Sequence, residues 1–285
     1  MTSLLEDKAS LPEYEVYAIK YAELKGRPPT EIFIGADPHE ALVDMDYFIW
    51  LVRSADVSFV IDLGFTREVG ERRGRTFLRC PSEGLKALGV DPATVSDVIV
   101  THLHYDHVGN YALFPNAQFH VQDKEIAFAT GRMMRHRCLC AAYEPEDVVQ
   151  LVRNVFRGRV VFHDGDDEIV PGISVHLAPG HTAGLQFVRV KTRKGWLVIA
   201  SDACHYYRHL ERGEVFPLVT NVAALVEGYD RLRKLSSHPA MVVPGHDPGV
   251  MLKYPASSSD KSGMSVRLDV GVTSALKANT VVARR

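Results

Sequence analysis

The chain predicts an α/β (α+β) fold in which two β-sheets pack together with helices on the outside. Two observations carry that expectation. Strand-like runs precede a helical stretch in each half of the sequence, the order expected when two sheets each gain a helical cover. The composition, 46% hydrophobic and 24% charged over 285 residues, is that of an ordinary globular protein able to build a sizeable core.

Taken in order, "YFIWLVRS" and "VSFVIDLGF" read as paired strands separated by Ala55 and Asp56. "SEGLKALGVDPATV" reads as a short helix ended by Gly89 and a proline turn, leading into the strand "SDVIVT". "AQFHVQ" is another short strand, and residues 126–156 turn helical, most clearly in "EPEDVVQLVRNVF". "ISVHLAPGH" is a strand running into a turn, and "LQFVRVKTRKGWLVIASDA" is a hairpin around Arg193, Lys194 and Gly195. In "NVAALVEGYDRLRKLSS", Val222, Leu225, Val226, Tyr229, Leu232 and Leu235 share one helical face and predict a sheet-packing helix. "MVVPGHD" supplies a last strand and turn. The pattern weakens from "SSSDKSG" onward, so one domain is expected over 1–258, with its core at about 40–250, and 259–285 as a tail or arm.

A formal net charge of -2 lacks the basic footprint of a nucleic-acid binder. No apolar run approaches the roughly 20 residues of a membrane helix. The N-terminal "MTSLLEDKASLPEYEVYAIK" carries acidic residues early and has no leader-like apolar core. Cys80, Cys138, Cys140 and Cys204 form no disulfide framework, which leads to the expectation of a reducing cytoplasm. Cys138 and Cys140 flank one leucine, either as a weak metal or redox signal or as ordinary thiols.

The chemistry is concentrated in "VTHLHYDHVGN", where an apolar strand ends in His102, His104, Asp106 and His107. His102 and His104 leave the same face of an extended strand end, and Asp106 and His107 follow once the chain has turned. Imidazole and carboxylate suit zinc, iron or manganese, but this segment alone does not close a coordination shell. Three further candidates sit at strand-to-loop junctions: His181 and His246, each behind a Pro-Gly pair, and Asp202 at the end of "WLVIASDA". His39, His120, His163 and His176 read instead as scattered or core-satisfied histidines.

"HLHYDH" matches the HxHxDH signature of the metallo-β-lactamase superfamily. His181, Asp202 and His246 match its remaining ligands in type and order. "FVIDLG" and "DGDDEIVPGISVHLAPGHTAG" also resemble its surrounding motifs, so the resemblance covers about residues 40 to 250. It implies an αββα sandwich of two mixed sheets in a metallo-hydrolase domain. It further implies that His102, His104 and His181 hold one metal and Asp106, His107 and His246 the other, with Asp202 bridging. The cofactor expectation is two divalent ions, zinc by default, with iron, manganese or cobalt fitting similar ligands.

By that resemblance a metal-bridging hydroxide attacks the acyl carbon, Asp106 passes a proton to the leaving group, and Asp62 orients a ligand from behind. "HLHYDHVGN", "FPNAQFHVQDKE" and "SDACHYY" look most like the N-acyl-homoserine lactonase branch, whose members open lactone rings of bacterial quorum-sensing signals. The alternative is another ester, thioester or small cyclic lactone of the pyridoxolactone type. The lactonases carry a substrate-binding tyrosine three residues after the bridging aspartate. Here His205 stands in that place, so either His205 or Tyr206 is expected to take the role, with Tyr206 as a packing aromatic the other reading.

In "FATGRMMRHRCLCAAYEPED", Met133 and Met134 would suit an apolar wall, and Arg132, Arg135 and Arg137 could recognise a carboxylate. The other reading is a helix with an apolar and a charged face. Expected partners are a small-molecule lactone or ester and a second copy of the chain in a homodimer, with no nucleic acid and no membrane. A flavin-linked di-iron redox branch, a nuclease and an inactive binding module fit less well, because every ligand is retained and no flavin domain or basic clamp is visible.

Overall fold

In the computed structural model, which describes residues 11–272, the chain opens with β1 (Glu15–Arg27), β2 (Val43–Arg53) and β3 (Ser58–Ile61). Next come α1 (Arg67–Arg72), β4 (Thr76–Phe77), α2 (Pro81–Ala87), β5 (Asp97–Ile99), α3 (Tyr105–Val108) and β6 (Gln118–Gln122). Helices α4 (Asp123–Ala129), α5 (Arg137–Cys140) and α6 (Pro145–Phe156) precede β7 (Val160–His163), β8 (Asp167–Val170) and β9 (Ile173–Leu177). The hairpin β10 (Gln186–Thr192) and β11 (Gly195–Ser201) leads to α7 (Tyr207–Arg212) and α8 (Val222–Leu235). Last are β12 (Val242–Pro244), α9 (Gly249–Lys253) and β13 (Ser265–Arg267).

The first sheet runs β13-β1-β2-β3-β5-β6-β7, with β4 added beside β1. It is antiparallel from β13 to β3 and parallel from β3 to β7. The second runs β12-β11-β10-β9-β8, antiparallel except where β11 pairs β12. Both sheets are therefore mixed.

Side-chain alternation along the strands stacks the layers. On β2, Phe48, Trp50 and Val52 enter the core between the sheets, where they meet Val188, Val190, Leu197 and Ile199 of the hairpin. Tyr47, Ile49 and Leu51 point the other way, into the core under the helices that cover the first sheet. Phe187, Val198 and Ala200 face outward from the second sheet onto Leu225, Tyr229 and Leu232 of α8. Three stacked cores make the αββα sandwich that the sequence predicts.

Local departures have local causes. The apolar face of α8 is narrower than its spacing suggests: Leu225, Tyr229 and Leu232 are buried, whereas Val222 and Val226 are exposed. The helical stretch 126–156 is broken into separate helices, with a break at Gly131 and a new start at Pro145. β1 lies outside the expected core because Glu15, Lys20, Glu23 and Lys25 interrupt its apolar pattern. Tertiary contacts absorb those charges, for instance Lys20 Nζ, 2.7 Å from Asp46 Oδ1.

The expected boundary at 258 also falls short of the folded part. β13 pairs with β1, and Arg79 binds Asp260 at 2.8 Å, both groups being buried. Of the expected tail, residues 273–285 lie outside the described residues. No helix among the described residues is long and apolar enough to cross a membrane.

Candidate metal and active site

The carboxyl-terminal ends of β5, β11 and β12, together with the loop after β9, meet at one edge of the sandwich. His102, His104, Asp106 and His107 follow β5, Asp202 follows β11, His246 follows β12, and His181 lies in the loop between β9 and β10. Close approach demands the glycine of each Pro-Gly pair. A Cβ on Gly180 would sit 2.7 Å from the Leu225 backbone, and one on Gly245 would sit 2.7 Å from the Ser201 carbonyl oxygen. The loops carrying His181 and His246 can therefore press against the fold only without side chains at those positions.

Seven side chains named from the sequence converge. His102, His104, His181 and Asp202 form one buried group of ligating atoms, and Asp106, His107 and His246 form another. Asp202 stands between them. Its Oδ2 lies 3.2 Å from His181 Nε2 and 3.7 Å from His102 Nε2. Its Oδ1 lies 3.0 Å from His246 Nε2 and 3.4 Å from His107 Nε2. Asp106 Oδ2 is 3.7 Å from both His107 Nε2 and His246 Nε2.

The far side of each ring is fixed. His107 Nδ1 donates to Asp62 Oδ2 at 2.7 Å, His181 Nδ1 to the Leu218 carbonyl at 2.7 Å, and His246 Nδ1 to the Asp46 carbonyl at 2.9 Å. With Nδ1 donating there, it is the Nε2 of each ring that is turned toward the centre. Asp62 is itself held by the backbone N–H and the hydroxyl of Thr101, at 2.8 and 2.9 Å. Asp62 and Ser201 both adopt left-handed backbone, φ 62° and 46°. Such strain persists where surrounding contacts over-determine a residue, and here both residues end strands at the site.

Electrostatics divides the cluster. Burial, reinforced by neighbouring imidazoles, drives His102 and His104 well below the usual histidine range. Burial opposes charge on His107 too, but Asp62, Asp202 and Asp106 outweigh it and raise that ring well above the range. Burial likewise opposes charge on His246, and Asp202 overcomes it. Asp202 is held well below the carboxylate range, its burial overcome by His246, His205 and His107.

These donors fit a divalent metal. His102 Nε2, His107 Nε2 and Asp202 Oδ1 are buried with no hydrogen-bond partner, an arrangement that is destabilising unless something satisfies them. The clusters are nitrogen- and oxygen-rich and thiol-free, as zinc and the neighbouring first-row ions favour. Cys138 and Cys140 join no metal-ligating cluster, and no disulfide forms among the described residues.

A cavity of about 370 Å³ opens over this centre. His104, Asp106, Asp202, His205 and His246 make its floor, and Tyr47, Tyr105, Phe216 and Leu218 are among its walls. His205 reaches it, but its Nε2 lies 2.9 Å from Asp202 Oδ2 and its ring stacks on Phe216 at 3.7 Å. Burial lowers its pKa to about 3, so the ring is neutral and its one N–H is committed to Asp202. Tyr206 is a correction. Its hydroxyl donates to the Asp44 carbonyl at 3.1 Å, its ring packs on Phe33 and His209, and it does not line the cavity.

Of the two readings of the segment around Met133 and Arg135, the pocket wall is the one the structure does not support. The segment contributes Ala141 and Ala142 to the cavity, while the arginines present are Arg27, Arg73 and Arg75. Arg132, Arg135 and Arg137 are exposed to solvent and do not line the cavity.

Tyr47, Arg75 and Glu125 were not singled out from the sequence. Glu125 is fully buried and accepts hydrogen bonds from the Leu103 N–H, the Thr182 hydroxyl and the Gly184 N–H at 2.9, 2.6 and 3.1 Å. It thereby ties the HLHYDH turn to the His181 loop. Its signal, an acidic residue opening a helix directly after a buried strand, is shared by many helix N-termini.

Comparisons with known proteins agree with this geometry. The family model for the metallo-beta-lactamase superfamily matches residues 44–246. "N-acyl homoserine lactonase AttM" of Azorhizobium caulinodans is 32% identical over 170 residues, 58% of this chain and 62% of that protein. "N-acyl homoserine lactonase" of Bacillus cereus is 28% identical over 46% of this chain and 47% of its own length. These alignments thus span less than two thirds of either relative. A solved quorum-quenching N-acyl homoserine lactone lactonase superposes with a TM-score of 0.69 at 20% identity, covering 84% of this chain and 95% of its own, and so shares the fold.

Proposed function

Because the chain belongs to the metallo-β-lactamase superfamily, we propose that it is a cytoplasmic dinuclear-metal hydrolase that opens lactone rings, with N-acyl homoserine lactones as the substrate class. The observation that carries this reading is the pair of buried His/Asp clusters with Asp202 between them, in which His102 Nε2, His107 Nε2 and Asp202 Oδ1 have no hydrogen-bond partner among the described residues. The names of the relatives support the lactone, and a structural neighbour described as a dizinc quorum-quenching lactonase supports the ion pair.

His102, His104, His181 and Asp202 would hold one zinc ion, and Asp106, His107, His246 and Asp202 the second. Bound there, such ions supply a water-derived nucleophile at neutral pH and an electrophile for the carbonyl.

The chain's own residues do the rest. Asp106 lines the cavity beside His107 and His246, where a carboxyl can deliver a proton to the ring oxygen as it leaves. His205 holds Asp202 in place, so the substrate hydrogen bond falls to Tyr47. The Tyr47 hydroxyl accepts from Tyr105 at 3.4 Å, and its own hydrogen has no acceptor among the described residues. Burial pushes its pKa up to about 12, so it stays a donor throughout the working range.

The test is metal quantification together with turnover of a panel of lactones differing in side-chain length and charge. Two equivalents of metal and ring opening are expected. A fully metallated enzyme that opens no lactone in the panel would overturn the reading.

A further inference from the structure

The arginines in the cavity are not equivalent. Arg73 donates to Glu144 Oε1 at 2.8 Å and to the Ala141 and Tyr143 carbonyls at 3.0 and 3.2 Å, so each nitrogen of its guanidinium helps to hold the loop. Arg27 pairs with Glu31 at 3.1 Å. Arg75 donates Nε–H to the Tyr105 hydroxyl at 3.0 Å and Nη1–H to the Arg73 carbonyl. Its Nη2 makes no hydrogen bond and no carboxylate pairs with it among the described residues. Asp106 is an acidic group whose field does bear on it, yet Asp106 also belongs to the metal-ligating cluster.

Arg75 lines the cavity with the N–H groups of Nη2 uncommitted, so an incoming anion can accept from them. The planar fork of arginine suits a carboxylate held by two parallel hydrogen bonds. Tyr105 fixes Arg75 in place, and Tyr105 directly precedes Asp106 in the ligand turn, so an anion on Arg75 stands beside the reacting centre. The cavity, about 370 Å³, lies near the small end of the ~300–1,000 Å³ range of small-molecule sites. That size favours a compact substrate over a long acyl tail.

We propose that Arg75 is a substrate anchor and that the preferred substrate carries a carboxylate on the short substituent attached to its ring. The chemistry of this inference rests on the lactone-opening reading, while its binding geometry rests on Arg75 alone.

Two unreactive probes test the binding: N-hexanoyl cyclopentylamine and the cyclopentylamide of adipic acid, equal in chain length and differing in a terminal methyl or carboxylate. In isothermal titration of the metal-loaded protein, the carboxylate probe should bind about tenfold more tightly. In Arg75→Gln that preference should fall to about twofold or less, with metal content and melting temperature verifying the fold. If Arg75→Gln does not fold, Arg75→Lys decides, because it keeps the charge but not the fork and should lose at least about threefold of the preference.

Equal binding of the two probes overturns the inference, as does a preference undiminished in the variant, since the metals alone would then hold the carboxylate. The matching N-hexanoyl and N-adipoyl homoserine lactones read out turnover, with the same preference expected in kcat/KM. Probe preference without turnover of either lactone would leave the anchor standing and remove the lactone reading. Turnover of both lactones with equal probe binding would do the reverse.

Discussion

The floor and the wall of the cavity are built on different principles. On the floor and directly beneath it, every candidate ligand is buried, and His107, His181 and His246 are each fixed from behind by a carboxylate or a backbone carbonyl. The wall is assembled from β2, the turn before β4, the loop before α6 and residues 216–218. Metal chemistry tolerates little displacement of its ligands, so the floor is over-determined. Recognition of a small molecule can be achieved by many surfaces, so the wall is free to draw residues from distant segments.

The largest effect expected on that contrast comes from Asp202→Asn, which removes the carboxylate that lies between the two clusters. Bound metal should fall below two equivalents, and kcat/KM should drop at least about 100-fold. Full metal occupancy with turnover near that of the parent would break the picture of a shared ligand.

Asp62→Asn reaches the floor only through His107. It should weaken metal affinity by roughly 10–100-fold, measured by competition with a chelator, while the assembled centre still works when metal is supplied in excess. An unchanged affinity would mean that His107 needs no support from behind.

On the wall, Tyr47→Phe should leave metal content unaltered and lower kcat/KM about fivefold, the worth of one neutral hydrogen bond. A loss of metal in this variant would show that floor and wall are not separable.

The smallest effect lies at the sheet edge far from both. Burial acts to raise the Asp260 carboxyl, but hydrogen bonds from Arg79 and Ser262 outweigh it and hold the group below the usual range. A carboxyl depressed in the folded state stabilises the fold above its unfolded pKa of about 3.9, and that contribution is lost as pH falls through the folded value. Asp260→Asn should therefore lower the melting temperature at pH 7 by about 2–4 °C, with the difference from the parent shrinking as pH drops below about 4. A difference constant with pH would assign the effect to packing rather than charge.

The sequence by itself determined the floor. His102, His104, Asp106 and His107 occupy one turn, and His181 and His246 each follow a Pro-Gly pair, so residue type and local backbone identify them without reference to the rest of the chain. It also predicted the two-sheet layering, because strand-like runs precede a helical stretch in each half of the chain. Only the tertiary structure decided that Tyr206 turns toward Asp44, that His205 braces Asp202, that Tyr47 and Arg75 line the cavity, that Asp260 pairs with Arg79, and that β13 completes the first sheet. The physical reason is range. A metal ligand announces itself through short-range spacing, whereas the partner of a tyrosine, an arginine or an edge strand is chosen by contacts between segments tens to hundreds of residues apart, as with Arg79 and Asp260.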